Sequence, residues 1–211
     1  RVISTCGANG GLRDDREGIA NHQLCEPLGH DRKALMSIGE SPFDYLKSVC
    51  EKYGLSPEKR ALLGTAANMN YAAVESQEYR GLKVVAISTG GVDTNAGRAG
   101  DPADIYENDG KFINTKGEVD EPCGTINTII IMNKELTHGA MVMSLVTASE
   151  AKAAALQELA INSRYSCGLA TGTGTDQVGI ASRITGEIPL TSAGKHTKLG
   201  ELIGATVKKY I

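Results

Sequence analysis

The stretch Gly124-Thr-Ile-Asn-Thr-Ile-Ile-Ile-Met132 constrains the fold of this chain more than any other. It is rich in β-branched residues and has no charge, a composition suited to a pleated strand and poor for a helix. A strand apolar on both faces must be central or covered on both sides. Thr125 and Asn127, two residues apart, share one face of it. Thr137 is placed to cap a helix that follows, predicted to run to about Leu159. Met141, Leu145, Ala148, Lys152, Ala155 and Leu159 recur on one stripe of that helix, widened by Val142 and Val146. Glu150 and Lys152 fall on different faces and are not expected to pair with each other. Glu150 becomes a functional candidate if it is buried beside the stripe.

Other elements follow from local chemistry. Val2 to Thr5 reads as a short strand leading into the glycine-rich loop Gly7 to Gly11, where Asn9 offers an amide to a ligand. Neither of the phosphate-binding glycine motifs is present in it. Ser41 and Pro42 open a helix with Phe43, Leu46, Val49 and Cys50 on its buried face, ending at Gly54. Ser56-Pro57-Glu58 starts another helical turn. Tyr71 to Tyr79 and Leu82 to Ser88 form a predicted hairpin around Arg80-Gly81. Thr197 caps a final helix with Leu199, Leu202, Ile203 and Val207 inside. Ile105 to Glu121 reads as an exposed excursion with a turn at Asn108-Asp109-Gly110.

With 211 residues, 41% hydrophobic and 22% charged, the chain can bury a core without disulfides or a structural metal. It has seven Tyr, two Phe and no Trp, so that core rests on aliphatic side chains. A net charge of −3 without a basic block argues against nucleic acid as partner. No run approaches the roughly 18 apolar residues of a membrane span. Arg1 runs straight into a strand-like segment, so no secretory leader is expected. Cys6, Cys25, Cys50, Cys123 and Cys167 are odd in number and irregularly spaced, which fits reduced thiols and a cytoplasmic setting. His22 and Cys25, with His30 and Asp31 behind them, resemble half a zinc site, but no second ligand pair follows. No metal is expected.

Polar chemistry concentrates in three places. The loop from Thr89 to Pro102 brings together Asp93, Asn95, Arg98 and Asp101. Thr171, Thr173 and Thr175 alternate with glycines before Asp176, and in an extended segment their hydroxyls would share one face as a ligand floor. His196 stands just before the last helix, between Lys195 and Thr197, with Glu201 one turn on to orient it.

Six segments in order then carry a resemblance. They are N-G-G-L (Asn9 to Leu12), G-R-A-G-D-P-A (Gly97 to Ala103), G-T-I-N (Gly124 to Asn127), T-A-S-E-A-K-A-A-A-L (Thr147 to Leu156), A-T-G-T-G-T-D (Ala170 to Asp176) and G-K-H-T-K-L-G-E-L-I-G (Gly194 to Gly204). Together they resemble the adenosylcobinamide amidohydrolases, the CbiZ family of corrinoid salvage enzymes. The segment Ile105 to Glu121 matches that pattern little. The resemblance implies hydrolysis of the amide joining the aminopropanol arm to the corrin ring of adenosylcobinamide. The products would be adenosylcobyric acid and 1-amino-2-propanol.

Such chemistry needs a nucleophile, donors for the oxyanion and an acid for the leaving amine. His196 and Asp176 are the first acid–base candidates, with Asp101, Glu150 and Thr125 beside them. Asn9, Asn95, Arg98, Asn127, Thr171, Thr173, Thr175 and Lys195 are candidates for holding the substrate. No cofactor is implied, since the cobalt arrives with the corrinoid. The expected partner is the corrinoid itself, with neither nucleic acid nor membrane, and self-association into a homo-oligomer is left open.

Two alternatives stand beside this reading. One is a corrinoid-binding or sensing module without hydrolysis. The other starts from Gly124-Thr125 before a buried strand, which loosely resembles the cleavage point of self-processing acyltransferases related to ornithine acetyltransferase, where a freed threonine amine is the nucleophile. The fold expected is a single α/β (α+β-like) domain over residues 1–211. Its mostly β core is covered by helices near Pro42–Tyr53, Thr137–Leu159 and Thr197–Lys209, the second of them long.

Overall fold

The computed structural model describes residues 1–24, 41–116 and 124–209. In chain order the strands are β1 (Val2–Ser4), β2 (Gly11–Arg13), β3 (Gly18–Gln23), β4 (Arg60–Thr65), β5 (Ala73–Tyr79) and β6 (Leu82–Gly90). They continue with β7 (Ala96–Gly97), β8 (Ile105–Asn108), β9 (Lys111–Asn114), β10 (Ile126–Met132), β11 (Gly172–Thr173) and β12 (Gln177–Ser182). The helices are α1 (Pro42–Lys52), α2 (His138–Glu158) and α3 (Lys198–Lys208).

Six strands form the main sheet in the order β2-β1-β12-β10-β6-β5. The apolar run is β10, central as expected, antiparallel to β6 and parallel to β12. A parallel pair needs a crossover, and α2 supplies it. One face of the sheet meets α2 and α3 through Ile130, Met132, Ile180, Met141, Leu202 and Ile203. The other meets β3 and β4 through Ile129, Val2, Ala61 and Leu63, with Ile19 packed alongside. Outside β3 and β4 lies α1, whose Leu46 and Cys50 pack on Ala8 and Leu62. The result is four layers: helices, main sheet, small sheet, helix. It is a mostly β, single α/β unit, and layers cover both faces of β10, leaving only Ile131 of that strand exposed.

Three helix expectations change in detail. Ser41 makes no capping bond and donates instead to the Asp44 carboxylate. Phe43 is 43% exposed, while Leu46, Val49 and Cys50 are buried. The buried face of α2 is rotated from the apolar stripe: Val142 is 51% exposed and Val146 and Leu159 are exposed, while Ser144, Thr147 and Ala151 are buried. Small residues let α2 lie close to sheet and α3, and its buried hydroxyls are satisfied at little cost. Ser144 donates to the Ala140 carbonyl at 2.8 Å and Thr147 to the Ala193 carbonyl at 2.8 Å. The caps at Thr137 and Thr197 form, accepting from the N–H groups of Ala140 and Gly200.

The hairpin of β5 and β6 turns at Arg80 (φ 48°) and Gly81 (φ 79°), the two positive values that a tight turn between twisted strands requires. Gly18–Gln23 pairs in parallel with Arg60–Thr65, a partnership with no forecast in the sequence. The hairpin of β8 and β9 is exposed, with its turn at Asp109-Gly110; residues 117–121 of the expected excursion lie outside the described residues.

Two loops are knitted together beside the main sheet. β7 pairs with β11, the Thr171 N–H donates to the Gly97 carbonyl, and the Ala99 N–H donates to the Thr171 hydroxyl. Asp101 staples the same loops: its carboxylate accepts from the Arg98 N–H and from the hydroxyls of Ser163 and Ser166. These donors, Ser163 first, hold the Asp101 carboxyl below its ordinary range.

Two outcomes are expected. Ile130→Ala, at a fully buried site, should lower stability in urea by about 2–5 kcal/mol, whereas Val142→Ala should stay within about 0.5 kcal/mol. A carboxyl depressed by folding contributes stability above its unfolded value and loses it as pH falls through the folded one. The amides of Tyr165 and Ser166, which donate to Ser163 Oγ, should therefore lose hydrogen-exchange protection as pH drops below about 4, corrected for intrinsic exchange. Asp101→Asn should abolish that dependence.

Candidate active site

Asp176 stands where β10 and β12 begin side by side. Its carboxylate accepts from the Ile126 N–H at 2.8 Å, the Thr173 N–H at 2.9 Å and the Thr173 hydroxyl at 2.6 Å. The fourth partner is the Lys152 ammonium from α2. The two side chains are only 8% and 15% exposed, so the pair is shielded from water and each charge depends on the other. The pair passes over Gly172, where a Cβ would come within 2.2 Å of Asp176 Oδ2 and 2.5 Å of Lys152 Nζ. Glycine is needed there for close approach rather than for an unusual backbone angle.

Beyond Asp176 the strands diverge, and side chains continue their pairing. Thr125 Oγ1 donates to the Thr175 carbonyl at 2.9 Å, and Thr175 Oγ1 donates to the Gly124 carbonyl at 3.0 Å. The Asn95 amide also donates to the Gly124 carbonyl, which thus has two donors. Asn95 Oδ1 is buried without a partner among the described residues. Gly124 adopts φ +157°, and a Cβ on it would lie 2.5 Å from both Asn95 Oδ1 and the Gly91 carbonyl. Below this level Asn127, 0% exposed, donates to Asn21 Oδ1 at 2.9 Å and the Gly64 carbonyl at 2.8 Å, and accepts from the Gln177 N–H. It bonds the main sheet to the small one.

A cleft of about 320 Å³ opens at this end of the sheet, lined in part by Tyr71, Gly90, Gly91, Ile126, Leu156 and Leu159. A second hollow of about 370 Å³ shares Val92, Asp93 and Ile161 with it. The Gly91 N–H holds the Thr125 carbonyl at 3.0 Å, so the floor of the cleft is one residue from the polar cluster.

The structure thus brings Asp176, Thr125, Asn95, Asn127, Thr173 and Thr175 together. The three threonines do not share a face: the segment turns at Gly174 and Thr175, and each hydroxyl goes to a different partner. Asp101 and Thr171 lie in the stapled loops, where Arg98 donates to the Leu169 carbonyl. Asn9 gives both amide hydrogens to the carbonyls of Pro57 and Arg60. That is the start of β4, four residues and roughly 13 Å from Gly64. Glu150 on the exposed side of α2 pairs with Lys195 in the loop before α3, and Glu201 pairs with Lys198 rather than orienting His196. His196 is exposed and has no hydrogen-bond partner among the described residues. Nothing joins it to Asp176. His22 bonds Tyr45 through Nδ1 at 2.7 Å; Cys25, His30 and Asp31 lie outside the described residues. Among the described residues no three His, Cys, Asp or Glu side chains converge on one point, Cys6, Cys50 and Cys167 are unbridged, and no helix is long and apolar enough to cross a membrane.

Sequence reasoning missed Lys152 and Asn21. The signal for Lys152 was a lone ammonium inside an alanine-rich helical stripe, read there as a packing position. Asn21 carried none, because its partners Asn127 and Thr89 are remote in the chain.

Comparison with known proteins adds to this geometry. The chain is 42% identical over 173 residues to an uncharacterized protein of Methanocaldococcus jannaschii, covering 80% of this chain and 67% of that one. It is 29% identical over 181 residues to the adenosylcobinamide amidohydrolase of Methanosarcina mazei, covering 81% and 73%. The sequence profile of the adenosylcobinamide amidohydrolase family, CbiZ, matches residues 1–211. The chain belongs to that family.

Proposed function

We propose that this protein hydrolyses the amide between the corrin ring and the aminopropanol arm of adenosylcobinamide, giving adenosylcobyric acid and 1-amino-2-propanol. The observation that carries the proposal is the Asp176–Lys152 pair with its ring of donors beside the cleft, in a chain of this family. Leu156, Leu159 and Ile161 offer apolar walls to the rim of a macrocycle, and Gly90 and Gly91, without side chains, leave room for its amides. A cleft of this volume takes the amide-bearing arm and one edge of the ring, leaving the rest of the corrin outside. Charge developing on the carbonyl oxygen of the arm is offset by the Lys152 ammonium, which Asp176 holds in place. The same ammonium is the proton source for the leaving amine.

Incubation with adenosylcobinamide should release adenosylcobyric acid and 1-amino-2-propanol, followed by chromatography and mass spectrometry. Asp176→Asn and Lys152→Met should each lower turnover by about 10²-fold or more, with folding checked by circular dichroism. His196→Ala should cost far less. The reverse order would move the acid–base work to the exposed helix cluster, and a changed corrinoid spectrum without product would leave a binding module.

A further inference from the structure

The cluster supplies donors and charge, but the hydroxyl it sets on a carboxylate, that of Thr173 on Asp176, shares that carboxylate with three other donors. Among the described residues Asp176 is saturated by four donors, His196 makes no hydrogen bond to the cluster, and Asp101 is engaged by three. One group would acquire a base if a single bond were cut: Thr125, whose own nitrogen would become a free amine beside its hydroxyl. We infer that the Gly124–Thr125 peptide bond is cleaved by the protein itself, leaving Thr125 as an N-terminal nucleophile one residue from Ile126 in the lining of the cleft.

Four observations converge on this bond. Its carbonyl oxygen accepts from two fixed donors, Asn95 Nδ2 and Thr175 Oγ1, in a site where Thr125 and Asn95 are both buried. Such donors stabilise a tetrahedral oxyanion on Gly124 before any substrate arrives. The residue before the bond must be glycine, since a Cβ would strike Asn95 Oδ1 and the Gly91 carbonyl. That same Oδ1, buried and without a partner among the described residues, is an acceptor for an entering water beside the Gly124 α-carbon. Downstream, the Thr125 carbonyl is held by the Gly91 N–H and the Ile126 N–H by Asp176, so a new terminus stays in place.

In the first step Thr125 Oγ adds to the carbonyl carbon of Gly124. The C–N bond breaks, and the hydroxyl proton ends on the departing nitrogen, leaving an ester. Water then adds to that ester and the C–Oγ bond breaks, giving a Gly124 carboxylate, a restored hydroxyl and a free Thr125 amine. One water is consumed. The freed amine can then take the proton from Oγ as it attacks a substrate amide. That last role rests on the function proposed above; the cleavage does not.

The test is the intact mass of the purified chain under denaturing conditions, read over days. Two fragments are expected, residues 1–124 and 125–211, together one water heavier than the precursor and associated under native conditions. The second should begin Thr-Ile-Asn-Thr on N-terminal sequencing. Thr125→Ala should remain whole and Thr125→Ser should still cleave. Asn95→Ala and Thr175→Val should each slow conversion by about 10²-fold, as loss of one oxyanion donor does. A wild-type chain that is folded by circular dichroism yet stays whole overturns the inference, as does cutting of Thr125→Ala at the same bond. Turnover of adenosylcobinamide on the same samples separates the two proposals. A whole chain with turnover removes only the self-cleavage, and a cleaved chain without turnover removes only the amidohydrolase.

Discussion

A carboxylate with four donors is an expensive thing to bury and a hard thing to move. Asp176 receives the ammonium of Lys152, two backbone N–H groups and the Thr173 hydroxyl. These donors come from α2, from the first residue of β10 and from the end of β11, so one side chain joins three elements from different parts of the chain. Removing either member of a buried pair leaves the other uncompensated, typically at about 3–5 kcal/mol. The carboxylate is therefore a structural joint.

The layers on either side depend on that joint for their relative placement. α2 reaches the end of the sheet through Lys152 and its middle through Met141 and Ala148. On the opposite face, Asn127 passes from β10 to Asn21 and Gly64 of the small sheet. Apolar contact between layers is non-directional, whereas these polar bonds have distance and angle requirements. They anchor the sliding surfaces at one end of the sheet, the end where the cleft opens.

What the residues disclosed without a structure was local. The β-branched run of β10, the caps at Thr137 and Thr197 and the turn at Arg80-Gly81 depend on neighbours a few positions away, and each is found in place. The pairing of β3 with β4 was hidden because its strands lie about forty residues apart in the chain and Gly18–Gln23 has no alternating pattern. The candidate site was half visible. Asp176, Thr125, Asn95 and Asn127 stood out as polar groups beside glycine or apolar runs, and they do assemble. His196 stood out equally well by residue type, yet among the described residues no hydrogen bond takes it to the cluster. Lys152 was obscured by its own helix: an ammonium among alanines has the spacing of a core position, and only the location of Asp176 shows what it faces.

Asn127 has a consequence for how the chain finds its alignment. Six of the seven residues of β10 are Ile, Thr or Met, so sliding it by two positions against β6 or β12 would bury almost the same surface. Hydrophobicity alone leaves those registers nearly degenerate. An amide that must meet Asn21, Gly64 and Gln177 together, and an Ile126 N–H that must meet Asp176, are satisfied in one of them only. The polar groups gathered at this end of the sheet thus act as the key that makes one strand alignment unique, and substitutions there threaten the choice of structure first.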